Sequence, residues 1–232
     1  MSNNNHLHSL QELIEIMALL RSEDGCKWDR QQTPESLKKH ILEETYELLE
    51  AIDNGNPDEI CDELGDLLLQ VVFQAQIFAE SEQFSISEVA QSISDKLKRR
   101  HPHIFSDASH EGHEQRWEEI KQQERSARGK SNRLAERIPP TLPALARSVK
   151  LAKKNSPAKP LELIEQMQKQ LQSMADLLHP QCADRSSLDN HLSQLLVNIC
   201  RFSAANDLDA EDLLRKKTTQ LISEIDSENN LY

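Results

Sequence analysis

Apolar residues recur at three- and four-residue spacing along most of this chain, which is the period of α-helices packed on one side. In the first half, Asn56 before Pro57 and the capping box of Ser85 with Glu88 are typical helix starts. The predicted helices of this half span residues 7–21, 34–52, 57–80 and 86–101. Because short turns join them, residues 1–105 are expected to form one compact helical domain.

The second half repeats the helical pattern after a polar segment. Residues 106–139 are rich in charged side chains and contain one amphipathic piece, around Trp117, that predicts a helix. The prolines of "RIPPTLPAL" indicate a boundary, and residues 140–232 form the second predicted domain. Its predicted helices span residues 144–154, 161–178, 188–205 and 210–225. Helical hairpins in both halves are typical of a divergent internal duplication.

The composition favours an all-α fold. The chain of 232 residues has 37% hydrophobic residues, enough to bury a core, but only 5 glycines and 4% aromatic residues. Folds rich in β-sheet use more β-branched and aromatic residues in strands and more glycine in turns. We therefore expect helices throughout.

Charge and targeting signals narrow the function. A net charge of −12 argues against nucleic acid as a partner, because nucleic-acid binding needs a basic surface. The four cysteines show no CxxC spacing, so neither a zinc site nor a disulfide framework is predicted. The start lacks a signal-peptide pattern, and the uncharged run 67–79 is too short to span a bilayer. We expect a cytoplasmic protein that acts without a membrane.

Five carboxylates on two neighbouring helices are the strongest chemical signal. In "LEETYELLEAI", Glu43, Glu44 and Glu47 lie within an arc of about 100° on the second helix. Taken alone, this stripe is what any solvated helix face shows. Glu63 and Asp66 share a face of the third helix, just before its uncharged run. An antiparallel hairpin of the two helices would bring these carboxylates together.

Clustered carboxylates repel one another and take up protons unless a cation neutralises them. All-oxygen ligands suit Mg²⁺, with Mn²⁺ as a substitute, better than Zn²⁺. The sequence contains no EExxH pattern, which weakens a di-iron interpretation. A magnesium site usually leaves positions open for water and phosphate groups, so a phosphorylated substrate is expected.

Basic residues and a tryptophan fit such a substrate. Lys96, Arg99 and Arg100 end the fourth helix, and beside a magnesium site they would hold phosphates. A solvated basic face gives the same pattern. Trp28 is one of only two tryptophans and could either stack on a nucleotide base or anchor its loop on the core. The residues alone leave both interpretations open.

Four segments in this order, "GCKWD", "LEETYELLEAI", "DELGDLLLQVVFQAQ" and "DKLKRRHPHIF", closely resemble the MazG nucleoside triphosphate pyrophosphohydrolases. The residues that match the EExxE and ExxD signatures of that family are Glu43, Glu44, Glu47, Glu63 and Asp66. The resemblance covers about residues 7–125. One small departure is Lys27, which stands where the family usually has proline.

The resemblance implies tandem all-α domains whose helices pack into four-helix-bundle cores through dimerisation. It also implies hydrolysis of NTPs or dNTPs between the α and β phosphates, to the monophosphate and pyrophosphate. The implied metal ligands are Glu44, Glu47, Glu63 and Asp66. Glu43 would orient or deprotonate the attacking water, and Trp28 would bind substrate. The residues implied to neutralise charge on the phosphates are Lys96, Arg99, Arg100 and Lys121.

The second domain keeps the apolar pattern but lacks the acidic motif. Aligning "NHLSQLL" with "DELGDLL" places His191 and Gln194 at the positions of Glu63 and Asp66, so a second metal site is not expected. Residues 140–232 are expected to fold and to serve dimerisation or domain packing. Two functions stay open. One is a pyrophosphohydrolase that works from its first domain, and the other is a dimeric nucleotide-sensing or partner-binding protein with little or no catalysis.

Overall fold

The computed structural model describes residues 3–106, 113–131, 133–155, 159–178 and 184–229. These residues form helices and turns without a strand, which confirms the predicted all-α fold. The helices of the first half are α1 (Asn3–Leu20), α2 (Lys27–Gln31), α3 (Lys38–Asn54), α4 (Pro57–Glu80), α5 (Ile86–Arg100) and α6 (Pro102–Phe105). The remaining helices are α7 (His113–Ala127), α8 (Leu134–Arg137), α9 (Ala144–Lys154), α10 (Pro160–Leu177), α11 (Arg185–Ala205) and α12 (Ala210–Asn229). None of the helices in these ranges combines the length and apolarity needed to cross a membrane.

The chain divides into two compact units, residues 1–120 and 121–232. The border lies within α7, in the segment that the sequence predicts as a linker. The first unit therefore contains the predicted first domain together with the start of α7.

The hairpin of α3 and α4 is the centre of the first unit. α3 ends at Gly55, whose φ of 71° lies in the left-handed region that glycine favours. The side chain of Asn56 accepts a hydrogen bond from the backbone N–H of Asp58, and this cap starts α4 as predicted. Because the turn is tight, the helices pack as antiparallel neighbours. Near the far end, Gln74 Nε2 donates to the carbonyl of Pro34 at 3.4 Å.

The core of this unit forms where α1 crosses the hairpin. Met17 of α1, Leu37 and the α4 residues Val72 and Phe73 are buried together. Ile86, the first residue of α5, packs against the same cluster. The apolar half of α4 is thus covered by α1 and α5, while its first half leaves the Glu63 and Asp66 positions near solvent.

Two local differences from the sequence prediction occur before α3. The helix begins at Lys38, not near Pro34, because Thr33 and Ser36 close a separate turn. In that turn Thr33 Oγ1 accepts a hydrogen bond from the Ser36 N–H at 3.2 Å. Trp28, predicted in a loop, lies on the five-residue helix α2. Its side chain is 54% exposed, so it does not anchor α2 on the core.

The second unit is a separate helical assembly in which α9 and α10 pack on α11, and α12 packs on α9 and α11. Its core includes Leu163 of α10, Val149 of α9 and Cys200 of α11. Asn198 is also buried, and its amide donates to Gln170 Oε1 at 3.2 Å. The four helices predicted for this half are all present, with small shifts at their ends.

Candidate active site

Three carboxylates of the first unit converge between α3 and α4. One oxygen from each of Glu44, Glu63 and Asp66 lies within 4.8 Å of the other two. We call these three residues the carboxylate cluster. Across the ranges described above, no other group of three histidine, cysteine or acidic residues comes this close together.

Helix geometry explains why these residues meet. Glu63 and Asp66 lie one turn apart on α4 and so share a face. The antiparallel α3 places Glu44 opposite them, and Glu47 follows one turn later on the same helix. The charge of Glu47 acts on both Glu44 and Glu63 and raises the pKa of each. The structure thus brings three of the four predicted metal ligands together, and Glu47 lies outside this group of three.

The surroundings of the carboxylate cluster disfavour the ionised form of its glutamates. Partial removal from water raises the pKa of Glu44, and the charges of Asp66 and Glu47 raise it further. The pKa of Glu63 is raised in the same way, by desolvation first and then by Glu47 and Asp66. A second observation points in the same direction. Glu63 Oε2 is buried and has no hydrogen-bond partner among the residues that the structure describes.

These observations fit a hard divalent cation. Buried carboxylate oxygens without donors are costly, and a cation would satisfy the Glu63 oxygen and offset the mutual repulsion. The donor set consists of oxygen alone, which is the set that Mg²⁺ and Mn²⁺ prefer.

In the metal-free protein, Glu44→Gln is expected to gain stability relative to the wild type as the pH rises. The folded-state pKa of Glu44 is raised, so its carboxyl supports the fold while protonated. That contribution is fully present below the unfolded pKa and is lost as the pH rises through the folded pKa. Glutamine does not titrate, so the difference should grow as the pH rises above the ordinary pKa of glutamate. Urea unfolding in the presence of a chelator measures it.

The matched control is Glu50→Gln. Glu50 lies exposed on the same helix and outside the cluster. Its glutamine variant leaves the carboxylate cluster intact, so it should lack the gain in stability that the cluster gives Glu44→Gln. Equal pH dependence in the two variants would show that Glu44 does not sense the cluster.

Glu43 and Trp28 both contact His40, a residue that the sequence did not single out. His40 Nδ1 lies 3.3 Å from Glu43 Oε2, and the His40 ring meets the Trp28 ring edge-on with centroids 6.3 Å apart. His40 stands one turn before Glu43 and Glu44 on α3. That i, i+3 spacing was a signal present in the sequence. Trp28 therefore lies beside the turn of α3 that precedes Glu44.

The predicted phosphate-binding residues lie on α5 and α7. Lys96, Arg99 and Arg100 lie in the last turns of α5, as expected. The guanidinium of Arg100 lies over the Trp117 ring, 5.3 Å from its centroid. Lys121 lies on α7 just inside the second unit. The phosphate roles of these residues stay predictions.

The second unit has different side chains at the corresponding positions. His191 and Gln194 lie on α11, and among the described residues neither belongs to a group of potential metal ligands. One turn later, Asn198 accepts a hydrogen bond from Arg201 Nη1 at 3.3 Å and bonds Gln170 across the helix pair. Amides and a guanidinium thus occupy the seam between α10 and α11.

Comparisons with known proteins identify the family to which this chain belongs. A family model described as the MazG nucleotide pyrophosphohydrolase domain matches residues 32–105, which contain the whole carboxylate cluster. The nucleoside triphosphate pyrophosphohydrolase/pyrophosphatase MazG of Thermotoga maritima is 40% identical over 217 residues, or 91% of this chain and 82% of that protein. This chain belongs to the MazG family.

Other MazG relatives are longer than this chain. The nucleoside triphosphate pyrophosphohydrolase of Escherichia coli K12 is 44% identical over 152 residues, 64% of this chain and 57% of that protein. The protein with the same name in Mycolicibacterium smegmatis is 38% identical over 160 residues, 66% of this chain and 49% of that protein. The MazG chain described here thus spans about half the length of these two relatives.

Proposed function

We propose that this MazG family protein hydrolyses nucleoside triphosphates to the monophosphate and pyrophosphate, with Mg²⁺, in its first unit. The observation that carries the proposal is the carboxylate cluster, in which oxygens of Glu44, Glu63 and Asp66 lie within 4.8 Å of one another. Family membership and the names of the relatives support the reaction class.

The cluster and Glu47 would hold the cation. Bound there, Mg²⁺ or Mn²⁺ would supply positive charge to the phosphates and lower the pKa of water. Glu43 precedes Glu44 on α3, contacts His40 and is largely exposed. These features support a role in orienting or deprotonating water. Its neighbour His40 restrains its position from one side.

The basic residues of α5 would act on the phosphates. Lys96, Arg99 and Arg100 form a positive helix end, and charge-assisted hydrogen bonds from such groups favour anionic oxygens. Arg100 is restrained by its stacking on Trp117, which lowers the cost of ordering a long side chain. The proposed role of Lys121 in phosphate binding rests only on the resemblance of its sequence position to the MazG family.

A second copy of the chain would complete the first unit. Large apolar side chains on one stripe of α4, Leu64, Leu68 and Val71, are exposed, as are Leu42 and Tyr46 of α3. A helical hairpin with an uncovered apolar stripe is half of a four-helix bundle. We therefore propose a homodimer formed through these helices, with the second unit adding packing surface. Light scattering of the purified protein tests it, and a monomer at micromolar concentration contradicts it.

Purified protein incubated with a panel of NTPs and dNTPs tests the reaction. With Mg²⁺ it should release pyrophosphate, and a chelator should stop the release. Nucleotide binding without any turnover would favour the alternative, a nucleotide-sensing protein.

Trp28→Ala is expected to raise KM for NTPs about tenfold with a smaller change in kcat. If the exposed indole stacks on the base in both ground and transition states, its loss removes uniform binding, and such stacking contributes roughly 1–3 kcal/mol. Trp28→Phe retains an aromatic face and should restore part of the affinity. Steady-state kinetics with pyrophosphate detection measures both variants.

The control for this variant is Gln31→Ala, an exposed residue of the same short helix. Its KM should stay within about twofold of the wild type, because it removes no aromatic face. A Trp28→Ala enzyme with unchanged KM would show that the indole does not contact the substrate.

A further inference from the structure

Arg21 makes an unusual set of contacts at the end of α1. Its side chain is only 6% exposed, although it carries a charge. Its Nε and Nη2 donate to the two oxygens of Glu80, each at 2.7 Å, and this pairing holds the pKa of Glu80 below its ordinary value. The guanidinium also lies 5.5 Å from the centroid of the Phe73 ring.

The remaining nitrogen of Arg21 binds α2. Nη1 donates to the carbonyl oxygen of Asp29 and, at 3.4 Å, to that of Gln32. Both carbonyls lie at the C-terminal end of α2, where a cation is favourable. One buried side chain thus joins α1, the end of α4 and the helix that carries Trp28.

Polar contacts fix α2 more than packing does. Besides the bonds from Arg21, Arg30 Nη1 donates to the Glu23 carbonyl at 2.6 Å and Gln32 Nε2 donates to the Trp28 carbonyl at 3.1 Å. None of its five residues is buried, so packing against the core contributes little to its position. The segment before it is tightly folded. A Cβ on Gly25 would lie 2.3 Å from the Leu19 carbonyl oxygen, and Cys26 N–H donates to the Leu20 carbonyl at 2.7 Å. The backbone before α2 is thus fixed by close packing and a hydrogen bond, and Arg21 binds the carbonyl groups at the C-terminal end of α2.

We propose that Arg21 is a positioning residue for nucleotide binding. By holding the carbonyls of α2, it keeps Trp28 against His40 and at a set distance from the carboxylate cluster. The ligand is a nucleoside triphosphate whose base stacks on Trp28, so this inference rests on the proposed function. Because Arg21 acts through the helix and not on a base edge, its effect should be the same for purines and pyrimidines.

Arg21→Lys is the first test. Lysine keeps a charge beside Glu80 but cannot bind Glu80 and two carbonyls together. We expect a rise in KM of about tenfold, equal to that of Trp28→Ala, with kcat changed less than about threefold. Inhibition by inorganic tripolyphosphate, which has phosphates but no base, should be unchanged. A matching loss of tripolyphosphate affinity would overturn the proposal, because Arg21 would then act on the phosphate site.

A double-mutant cycle distinguishes positioning of Trp28 from a general structural role of Arg21, because it measures the coupling between the two residues in KM. Once Trp28 is alanine, Arg21→Lys should have almost no further effect on KM, because there is no indole left to position. Additive effects would overturn the proposal. If Arg21→Lys does not fold, the Arg21→Gln/Glu80→Gln pair removes both charges without leaving one of them buried alone. The same cycle is then run on that pair.

Fluorescence tests the inference without catalysis. In a Trp117→Phe background Trp28 is the single tryptophan, since the chain has two. Nucleotide should quench the emission of Trp28. Arg21→Lys should lower the fluorescence anisotropy of Trp28, and it should raise the nucleotide concentration needed for half-maximal quenching about tenfold. If the protein binds NTP but releases no pyrophosphate, the proposed function fails while this titration still tests Arg21. Unchanged quenching and anisotropy in Arg21→Lys would overturn the inference.

Discussion

Asp66→Asn should remove at least roughly 99% of the Mg²⁺-dependent pyrophosphate release, since losing one strong electrostatic contributor commonly costs 10²–10³ in rate. Asparagine has nearly the same shape but only one neutral oxygen to offer a cation. The metal-free fold should be as stable as that of the wild type or more so, because a negative charge leaves a crowded cluster. Pyrophosphate assays, Mg²⁺ titration calorimetry and urea unfolding measure the three effects.

The control for this variant is Asp62→Asn. Asp62 lies on the same helix and adds to the negative field at Glu63, yet it lies outside the carboxylate cluster. Its asparagine variant should keep activity within about threefold of the wild type. A marked loss of metal-free stability in Asp66→Asn would instead make Asp66 a structural carboxylate.

Leu37→Ala and Leu163→Ala should have similar costs in stability, but only Leu37→Ala should reduce the thermal stability of the activity. Leu37 is 1% exposed in the first unit and Leu163 is 0% exposed in the second, so each truncation leaves a cavity and costs about 2–5 kcal/mol. For units of this size that lowers a thermal transition by roughly 10 °C or more. Only Leu37→Ala should lower the temperature at which pyrophosphate release is lost.

Scanning calorimetry combined with residual-activity measurements separates the two cases. The two compact units make two transitions the natural expectation. If Leu163→Ala abolished activity at temperatures where the first unit is still folded, catalysis would depend on the second unit, and the site would have been assigned to the wrong half.

Much of the fold could be predicted from the sequence because local signals agree with one another there. The Asn56 cap, the Ser85 capping box and the apolar period set the starts of α4 and α5. The start of α3 was misplaced because Thr33 and Pro34 fit a helix start as well as they fit the turn that actually forms. Local spacing alone does not separate those two uses of the same residues.

The site was predictable only in part. Glu44, Glu63 and Asp66 were found because their spacing places them on facing helix sides. Arg21 gave no such signal, since its partners Glu80 and Asp29 are distant or are backbone groups without a side-chain pattern. α2 was missed because five exposed residues carry no apolar period. Contacts set by tertiary packing are not encoded in local periodicity.

Product analysis by ³¹P NMR tests the central claim most directly. The wild-type protein and Asp66→Asn are incubated with one NTP and Mg²⁺. The wild type should form nucleoside monophosphate and pyrophosphate in equal amounts, and Asp66→Asn should leave the triphosphate intact. Formation of nucleoside diphosphate and orthophosphate by the wild type, or equal pyrophosphate formation by both proteins, would contradict hydrolysis between the α and β phosphates at the carboxylate cluster.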